Sequence, residues 1–239
     1  MFNKIHGRMS KITILIPFYN EEGNIVRQLK DIIENIILIS KYNFQILLID
    51  DGSIDLGSEK IVQLFDVHPN IDYQLIKHQT NLGKTKAFET AFKTLDTDYV
   101  IFMDGDYQDN PSEINKFVQK INEGFEVIIG NQKKKSNIVK KIAALIYRSL
   151  LNKLLKIQIK THSPQFYAIK YNFLKGMNFY NNDHRYLVII ALFKKAKFCE
   201  IDVKYLKREY GNSKFSNLKI FGAIFDTYKL VLRLKAGNY

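Results

Sequence analysis

Apolar residues along the first half of the chain alternate between two textures. Residues 11–17, Lys-Ile-Thr-Ile-Leu-Ile-Pro, and residues 44–50, Phe-Gln-Ile-Leu-Leu-Ile-Asp, are short β-branched runs closed by Pro17 and by the turn Asp51-Gly52-Ser53. Both read as buried strands. Between them, residues 21–40 place Ile25, Leu29, Ile32, Ile33 and Ile36 at three-and-four spacing, one face of an amphipathic helix. The pattern repeats as a strand over 73–77, a helix over 84–95, a strand over 98–103, a helix opening at Pro111 and a strand over 127–130. An α/β fold with an open, mostly parallel sheet and helices on both faces follows from this order. Residues 137–156 change character, setting Ile138, Ile142, Leu145, Ile146, Leu150 and Leu154 among Lys140, Lys141, Arg148, Lys153 and Lys156. Strands over 165–169 and 198–203 come next, and residues 216–235 form a second basic amphipathic stretch.

Composition narrows the class. The chain has 239 residues, 46% of them apolar and 13% aromatic, enough for a buried core in one domain with a trailing element. The expected division is a tail over 1–10, a domain over 11–212 and a C-terminal amphipathic segment over 213–239. Lys and Arg number 36 against 24 Asp and Glu, a net charge of +12, so the expected partner is anionic: nucleic acid, a membrane surface or a phosphorylated small molecule. The single cysteine, Cys199, excludes an intramolecular disulfide framework and fits a reducing compartment. The N-terminus carries Lys4 and Arg8 without an apolar segment, so no secretory signal is expected. The longest runs free of Asp, Glu, Lys and Arg, such as 12–20, are nine residues, against the roughly 18 apolar residues of a membrane span.

Ligands of open α/β sheets bind beyond the carboxyl ends of the strands, and those positions here are polar. Residues 17–22 read Pro-Phe-Tyr-Asn-Glu-Glu, 50–53 Asp-Asp-Gly-Ser, 81–84 Asn-Leu-Gly-Lys and 104–108 Asp-Gly-Asp-Tyr-Gln. Asp104, Asp106 and Gln108 stand at alternate positions and supply the oxygen ligands that Mg2+ or Mn2+ prefers, and such an ion bridges a diphosphate. Phosphate loops of other kinds do not compete. Gly52 and Gly57 have P-loop spacing, but Ser58 and Glu59 stand where Lys and Ser or Thr are required, and Gly-x-Gly-x-x-Gly is absent. A basic nucleic-acid-binding module is a reading of another class. The acidic strand ends would repel a polyanion, so no nucleic acid is expected.

In order and spacing these motifs resemble the family 2 glycosyltransferases of the GT-A fold. Residues 183–187 (Asp-His-Arg-Tyr-Leu), 199–203 (Cys-Glu-Ile-Asp-Val) and 208–214 (Arg-Glu-Tyr-Gly-Asn-Ser-Lys) are similar to the His-Arg-Phe, Glu-Val-Pro-Val and Arg-x-x-Gly-x-Ser-Lys motifs of the dolichyl-phosphate mannosyltransferase-like branch. The resemblance covers roughly residues 11–235. It implies an inverting transfer of a hexose from a UDP- or GDP-sugar to a polyprenyl phosphate. Cysteine usage and the N-terminus make the expected compartment cytoplasmic, and the basic amphipathic stretches over 137–156 and 216–235 make the expected position peripheral, on the inner face of the membrane. By the same resemblance Pro17, Tyr19, Glu21 and Asp51 surround the base and ribose, with Asp51 accepting from a ring nitrogen, and Lys84 lies near the nucleotide. Asp104, Asp106 and Gln108 hold the metal, and Arg208 and Lys214 close over the phosphates. His184, Arg185, Ser213 and Lys133 fall on the acceptor side. Glycosyl transfer builds negative charge on the leaving diphosphate, which a cation and Arg or Lys stabilise.

The acceptor decides whether a base is needed. A phosphate monoester is already anionic, whereas a sugar hydroxyl must lose its proton. The alternative within the family is therefore extension of a surface polysaccharide or lipid-linked glycan at a hydroxyl, with Asp183 as base. Two segments depart from the branch. Gly130 is followed by Asn131-Gln132 and then Lys133-Lys134-Lys135 where arginines are usual, and 161–166 read Thr-His-Ser-Pro-Gln-Phe where an Asp and a Gly-Phe pair are usual. Sequence does not fix the nucleotide, the sugar or whether the chain is a homo-oligomer.

Overall fold

The computed structural model describes residues 9–132, 145, 148–149, 151–153, 158–161, 164–180, 182–207 and 219–237. Its strands are β1 (Lys11–Phe18), β2 (Asn43–Asp50), β3 (Asp72–Lys77), β4 (Tyr99–Phe102), β5 (Val127–Gln132), β6 (Tyr167–Lys170) and β7 (Phe198–Val203). Its helices are α1 (Glu22–Ile36), α2 (Gly57–Asp66), α3 (Lys84–Thr94), α4 (Ile114–Asn122), α5 (Leu187–Phe193) and α6 (Lys219–Lys235). The strands form one sheet in the order β3-β2-β1-β4-β6-β5-β7. β1 pairs in parallel with β2 and β4, β2 with β3 and β5 with β7, while β6 runs antiparallel to both β4 and β5.

Strand periodicity explains the two-sided core. Ile12, Ile14 and Ile16 of β1 pack on one face with Ile46 and Leu48 of β2, under α1, α2 and α4; Leu15 faces the other side with Leu47 and Ile49, under α3, α5 and α6. The helical face anticipated for α1 is the buried one: Ile25, Leu29, Ile32, Ile33 and Ile36 all lie in the core. Asn110 accepts from the Ser112 N–H at 3.1 Å and starts a 3-10 turn at Pro111 that leads into α4. α6 belongs to the same body, with Leu230, Val231 and Leu234 buried against α5 and the sheet.

Two helices were not evident in the pattern. α2 has only Ile61, Leu64 and Phe65 as a buried stripe and follows a turn rich in polar residues. α5, Leu-Val-Ile-Ile-Ala-Leu-Phe, is apolar throughout and buried over Leu187–Leu192, so it carries no 3.6-residue signal. Of the expected basic helix over 137–156, residues 145, 148–149 and 151–153 are described and helical. Its remainder, with Lys133, Arg208, Ser213 and Lys214, lies outside the described residues.

Candidate functional site

Register brings the strand ends together. Phe18 pairs with Asp50 across β1 and β2, and the N–H groups of Asp51 and Met103 bond to the carbonyls of Phe18 (2.9 Å) and Leu15 (3.1 Å). The loops after β1, β2, β3 and β4 therefore open onto one end of the sheet, where the sequence rule placed the chemistry.

Asp50 builds this end rather than facing a ligand. Its side chain is fully buried and accepts from the Ser53 N–H at 2.7 Å and from the Ser58 hydroxyl, with the Lys77 ammonium at 3.6 Å. Ser53 Oγ in turn accepts from the Asn20 N–H at 2.9 Å, and Asn20 Oδ1 from the Ile54 N–H at 3.0 Å, which knits the β1 loop to the β2 loop. Asn20 has φ of 54°, a left-handed conformation that short polar side chains tolerate. Gly52, φ 77°, is obligatory for a second reason: a Cβ there would lie 2.3 Å from the Thr80 carbonyl carbon.

Asp51 accepts from the N–H groups of Leu82 (3.0 Å) and Gly83 (2.8 Å) and lies 2.9 Å from His78 Nδ1, while His78 Nε2 lies 2.9 Å from Thr90 Oγ1. A carboxylate has about four lone-pair sites, and most of those on Asp51 hold the β3–α3 loop in place. His78 was missed in the sequence, although it directly follows β3. Pro17 is buried in β1, and Tyr19 and Glu21 are half-buried beside the same loops, with Glu21 accepting from Asn24 Nδ2 at 2.7 Å.

The β4 loop carries the expected metal ligands. Asp104 is paired through Oδ1 with the Lys84 ammonium and through Oδ2 with Gln165 Nε2 at 3.2 Å. Lys84 opens α3, where a positive charge opposes the helix dipole, and Asp104 offsets that cost. Gln108 donates to the Tyr205 hydroxyl, and its backbone N–H lies 3.3 Å from Asp106 Oδ1. Between Asp106 and Gln108, Tyr107 adopts φ of 57°, a left-handed state costing about 1–2 kcal/mol for such a residue. Asp109, overlooked in the sequence although inside the motif, is 1% exposed and accepts from the Asp104 N–H (2.9 Å) and from Gln132 Nε2 (2.5 Å). Gln132 and Asn131, which replace the usual arginines, thus have partners of their own, Asn131 donating to Asp202 at 3.1 Å.

The donor set suits a hard dication: two carboxylates and an amide oxygen, with an ammonium already standing on Asp104. Among the described residues no group of three or more His, Cys, Asp and Glu side chains is placed to hold a metal ion by itself.

Beyond α3, a 3-10 turn over Asp183–Arg185 presents the remaining residues. His184 Nδ1 lies 2.9 Å from Thr85 Oγ1 and its ring packs 5.6 Å from that of Phe88, while Arg185 is half-buried beside it. Asp183 turns inward. It has no exposed surface, accepts from the Tyr180 N–H at 2.8 Å and pairs with Arg233 of α6 at 2.7 Å. To act on an incoming hydroxyl, as in the alternative reading of the sequence, this carboxylate would have to leave Tyr180 and Arg233.

Burial pushes the Asp109 carboxyl up to about 7, and Asp104 and Asp106 add to this. Burial, aided by Lys84 and Arg185, lowers His184 to about 3. The two have opposite consequences. From about pH 4 to 7 the folded chain keeps a proton on Asp109 that the unfolded chain releases, so this contribution to stability weakens as pH rises. From about pH 3 to 6.5 the unfolded chain takes up a proton on His184 that the folded chain refuses, so that contribution is full above 6.5 and is lost as pH falls. His184→Gln leaves the Asp109 slope unopposed. Urea unfolding at pH 5, 6 and 7 is expected to show the variant gaining stability relative to the parent as pH falls; a pH-independent difference would remove the histidine from this account.

Residues 13–198 match the model of glycosyl transferase family 2, most of the chain. The chain belongs to glycosyl transferase family 2. This family 2 chain is 25% identical over 220 residues to an undecaprenyl-phosphate 4-deoxy-4-formamido-L-arabinose transferase of Proteus mirabilis, covering 92% of this chain and 67% of that protein. It is 26% identical over 219 residues to the transferase of the same name from Salmonella choleraesuis, covering 91% and 66%. The chain thus spans about two thirds of the length of these relatives. Among solved structures it resembles glucosyl-3-phosphoglycerate synthase from Mycobacterium tuberculosis in complex with Mn2+, UDP and glucosyl-3-phosphoglycerate, with TM-score 0.66, 17% identity and coverage of 95% and 80%. It also resembles a mannosyltransferase from Pyrobaculum calidifontis in complex with GDP-Man and Mn2+, with TM-score 0.61, 15% identity and coverage of 86% and 59%. These likenesses establish the GT-A glycosyltransferase fold, and with the family match the chain is a glycosyltransferase.

Proposed function

We propose that this family 2 enzyme transfers a hexose from a UDP- or GDP-sugar to a polyprenyl phosphate with inversion. The observation that carries the acceptor assignment is the enclosure of Asp183 by Tyr180 and Arg233. With that carboxylate turned inward, an acceptor that is already anionic needs no proton removed. The names of the bacterial relatives support the same acceptor class.

A phosphate oxygen of the acceptor attacks the anomeric carbon from the face opposite the diphosphate. The new C–O bond forms as the bond to the diphosphate breaks, and the nucleoside diphosphate leaves with the electron pair. Asp104, Asp106 and Gln108 would hold Mg2+ or Mn2+, which supplies charge neutralisation to the leaving group when bound. Lys84 is placed to move from Asp104 to the diphosphate. Pro17, Tyr19, Glu21 and Asp51 line the nucleoside. His184, neutral through the physiological range, serves as a hydrogen-bond donor to the acceptor phosphate beside the planar fork of Arg185. Arg208 and Lys214 close over the diphosphate, and Ser213 and Lys133 complete the acceptor side.

No described helix is long and apolar enough to cross a membrane. α6 exposes Tyr228 and Leu232 one turn apart, next to the exposed Lys229 and close to Lys235, and this face supports a peripheral position on an anionic inner leaflet. The test combines thermal shift against UDP, GDP and CMP, each with and without Mn2+, with transfer of labelled sugar to undecaprenyl phosphate. A shift with one nucleoside diphosphate that needs Mn2+, and a lipid-phosphate product, are expected. Product on a glycan hydroxyl alone would overturn the acceptor, and no shift with any nucleotide would overturn the donor site.

A further inference from the structure

The metal loop is gripped from behind by one helix. Three residues on two adjacent turns of α1 reach it: the Arg27 guanidinium lies 4.8 Å above the Tyr107 ring, Gln28 donates to the Asp104 carbonyl at 2.8 Å, and Asp31 accepts from the Tyr107 hydroxyl. Gln28 is fully buried and Tyr107 is 8% exposed, while Asp31 is half-buried and Arg27 lies at the exposed rim. The Gln28 and Asp31 bonds span 76 residues of sequence, and Arg27 and Asp31 converge on Tyr107, the left-handed residue between Asp106 and Gln108. A non-glycine residue keeps such a backbone state when its surroundings over-determine it.

We infer that Arg27 and Asp31, acting through Tyr107, and Gln28, acting through the Asp104 carbonyl, are positioning residues that hold the β4 loop pre-set for a divalent cation. The inference rests on the donor-site reading above and adds to it residues that touch neither metal nor sugar. α1 is a rigid strut packed on the sheet through Ile25, Leu29 and Ile32. Tyr107 transmits that rigidity to both of its neighbours at once, because its own φ sets the direction in which the chain leaves Asp106 and enters Gln108. Without the clamp the loop samples extended conformations, and ordering it must be drawn from the energy of binding the ion.

Tyr107→Phe removes only the hydroxyl bond, and Asp31→Asn alters its partner on α1. Free Mn2+ is measured by electron paramagnetic resonance during titration of each protein with saturating nucleoside diphosphate, alongside calorimetry of the nucleotide without metal. Each variant is expected to bind Mn2+ about tenfold more weakly, with metal-free nucleotide binding unchanged and the double variant no worse than either single one. Excess Mn2+ is expected to restore transfer. If the variants lose thermal stability but keep the parent Mn2+ affinity, the contacts are structural and the inference fails. If the parent itself binds no Mn2+ with any nucleoside diphosphate, the donor-site reading fails with it, a result distinct from the first.

Discussion

Asp106→Ala is expected to reduce sugar transfer about 10³-fold while leaving the fold intact, because several kcal/mol of charge stabilisation on a leaving diphosphate correspond to that factor at 1.36 kcal/mol per tenfold. Asp106 is half-buried on the loop, and its carboxylate accepts from the Gln108 N–H at 3.3 Å. The side chain stands on a loop outside both hydrophobic clusters, and unfolding by heat is expected within a few degrees of the parent. The neighbour differs. Asp104 is tied to Lys84 and Gln165 through its carboxylate and to Gln28 and Asp109 through its backbone, so Asp104→Ala mixes loss of chemistry with loss of structure. Asp106 is the cleaner probe. Initial rates with labelled donor, and the Mn2+-dependent thermal shift with nucleotide, check the prediction together. Transfer within tenfold of the parent would exclude Asp106 from the reacting centre.

The strand ends show what a sequence can and cannot reveal about such a site. β1 and β2 were legible because both faces are buried, which demands continuous β-branched runs. The rule that ligands collect beyond the carboxyl ends points to Asp51, Lys84, Asp104, Asp106 and Gln108, and all five stand at that end of the sheet. The rule says where side chains stand but not which of them bond to each other. Asp51 proved to be anchored by Leu82, Gly83 and His78, and Asp104 by Gln165, 61 residues downstream. Such pairings depend on register between distant segments, and a local pattern carries no record of register.

The missed residues have distinct reasons. His78 follows β3 directly and satisfies the same rule as Lys84, so attention to position alone would have found it. Asp109 reads like its acidic neighbours, and only the packing of Gln132 and the Asp104 backbone makes it the buried member. Gln165 stands in a segment that departs from the branch's usual Gly-Phe, and its amide on Asp104 gives that departure a physical use. α5 escaped because a helix buried on all sides has no polar stripe. Departure from pattern was thus as informative as agreement with it.

Asp183→Asn is expected to destabilise the protein by about 3 kcal/mol, the lower end for breaking a buried ion pair, and so to lower the melting temperature by roughly 6–12 °C for a chain of this size. Asp183 has no exposed surface and Arg233 retains 21% of its side chain, so the pair is shielded mainly on the acid's side. The Tyr180 ring stacks 4.4 Å from the guanidinium, and the Tyr180 N–H bonds to the same carboxylate, so three groups lose their arrangement together. Arg233→Met is expected to cost more, since it leaves a buried carboxylate facing an apolar side chain. The double variant should recover part of that loss, because the uncompensated charge is gone. Denaturant unfolding of the four proteins measures the coupling. Activity separates this role from the competing one: a general base contributes about 10²–10⁴-fold, whereas a strut between the 3-10 turn and α6 changes turnover of the folded fraction by less. A folded Asp183→Asn protein that has lost transfer by that larger factor would restore the hydroxyl acceptor and displace the polyprenyl phosphate.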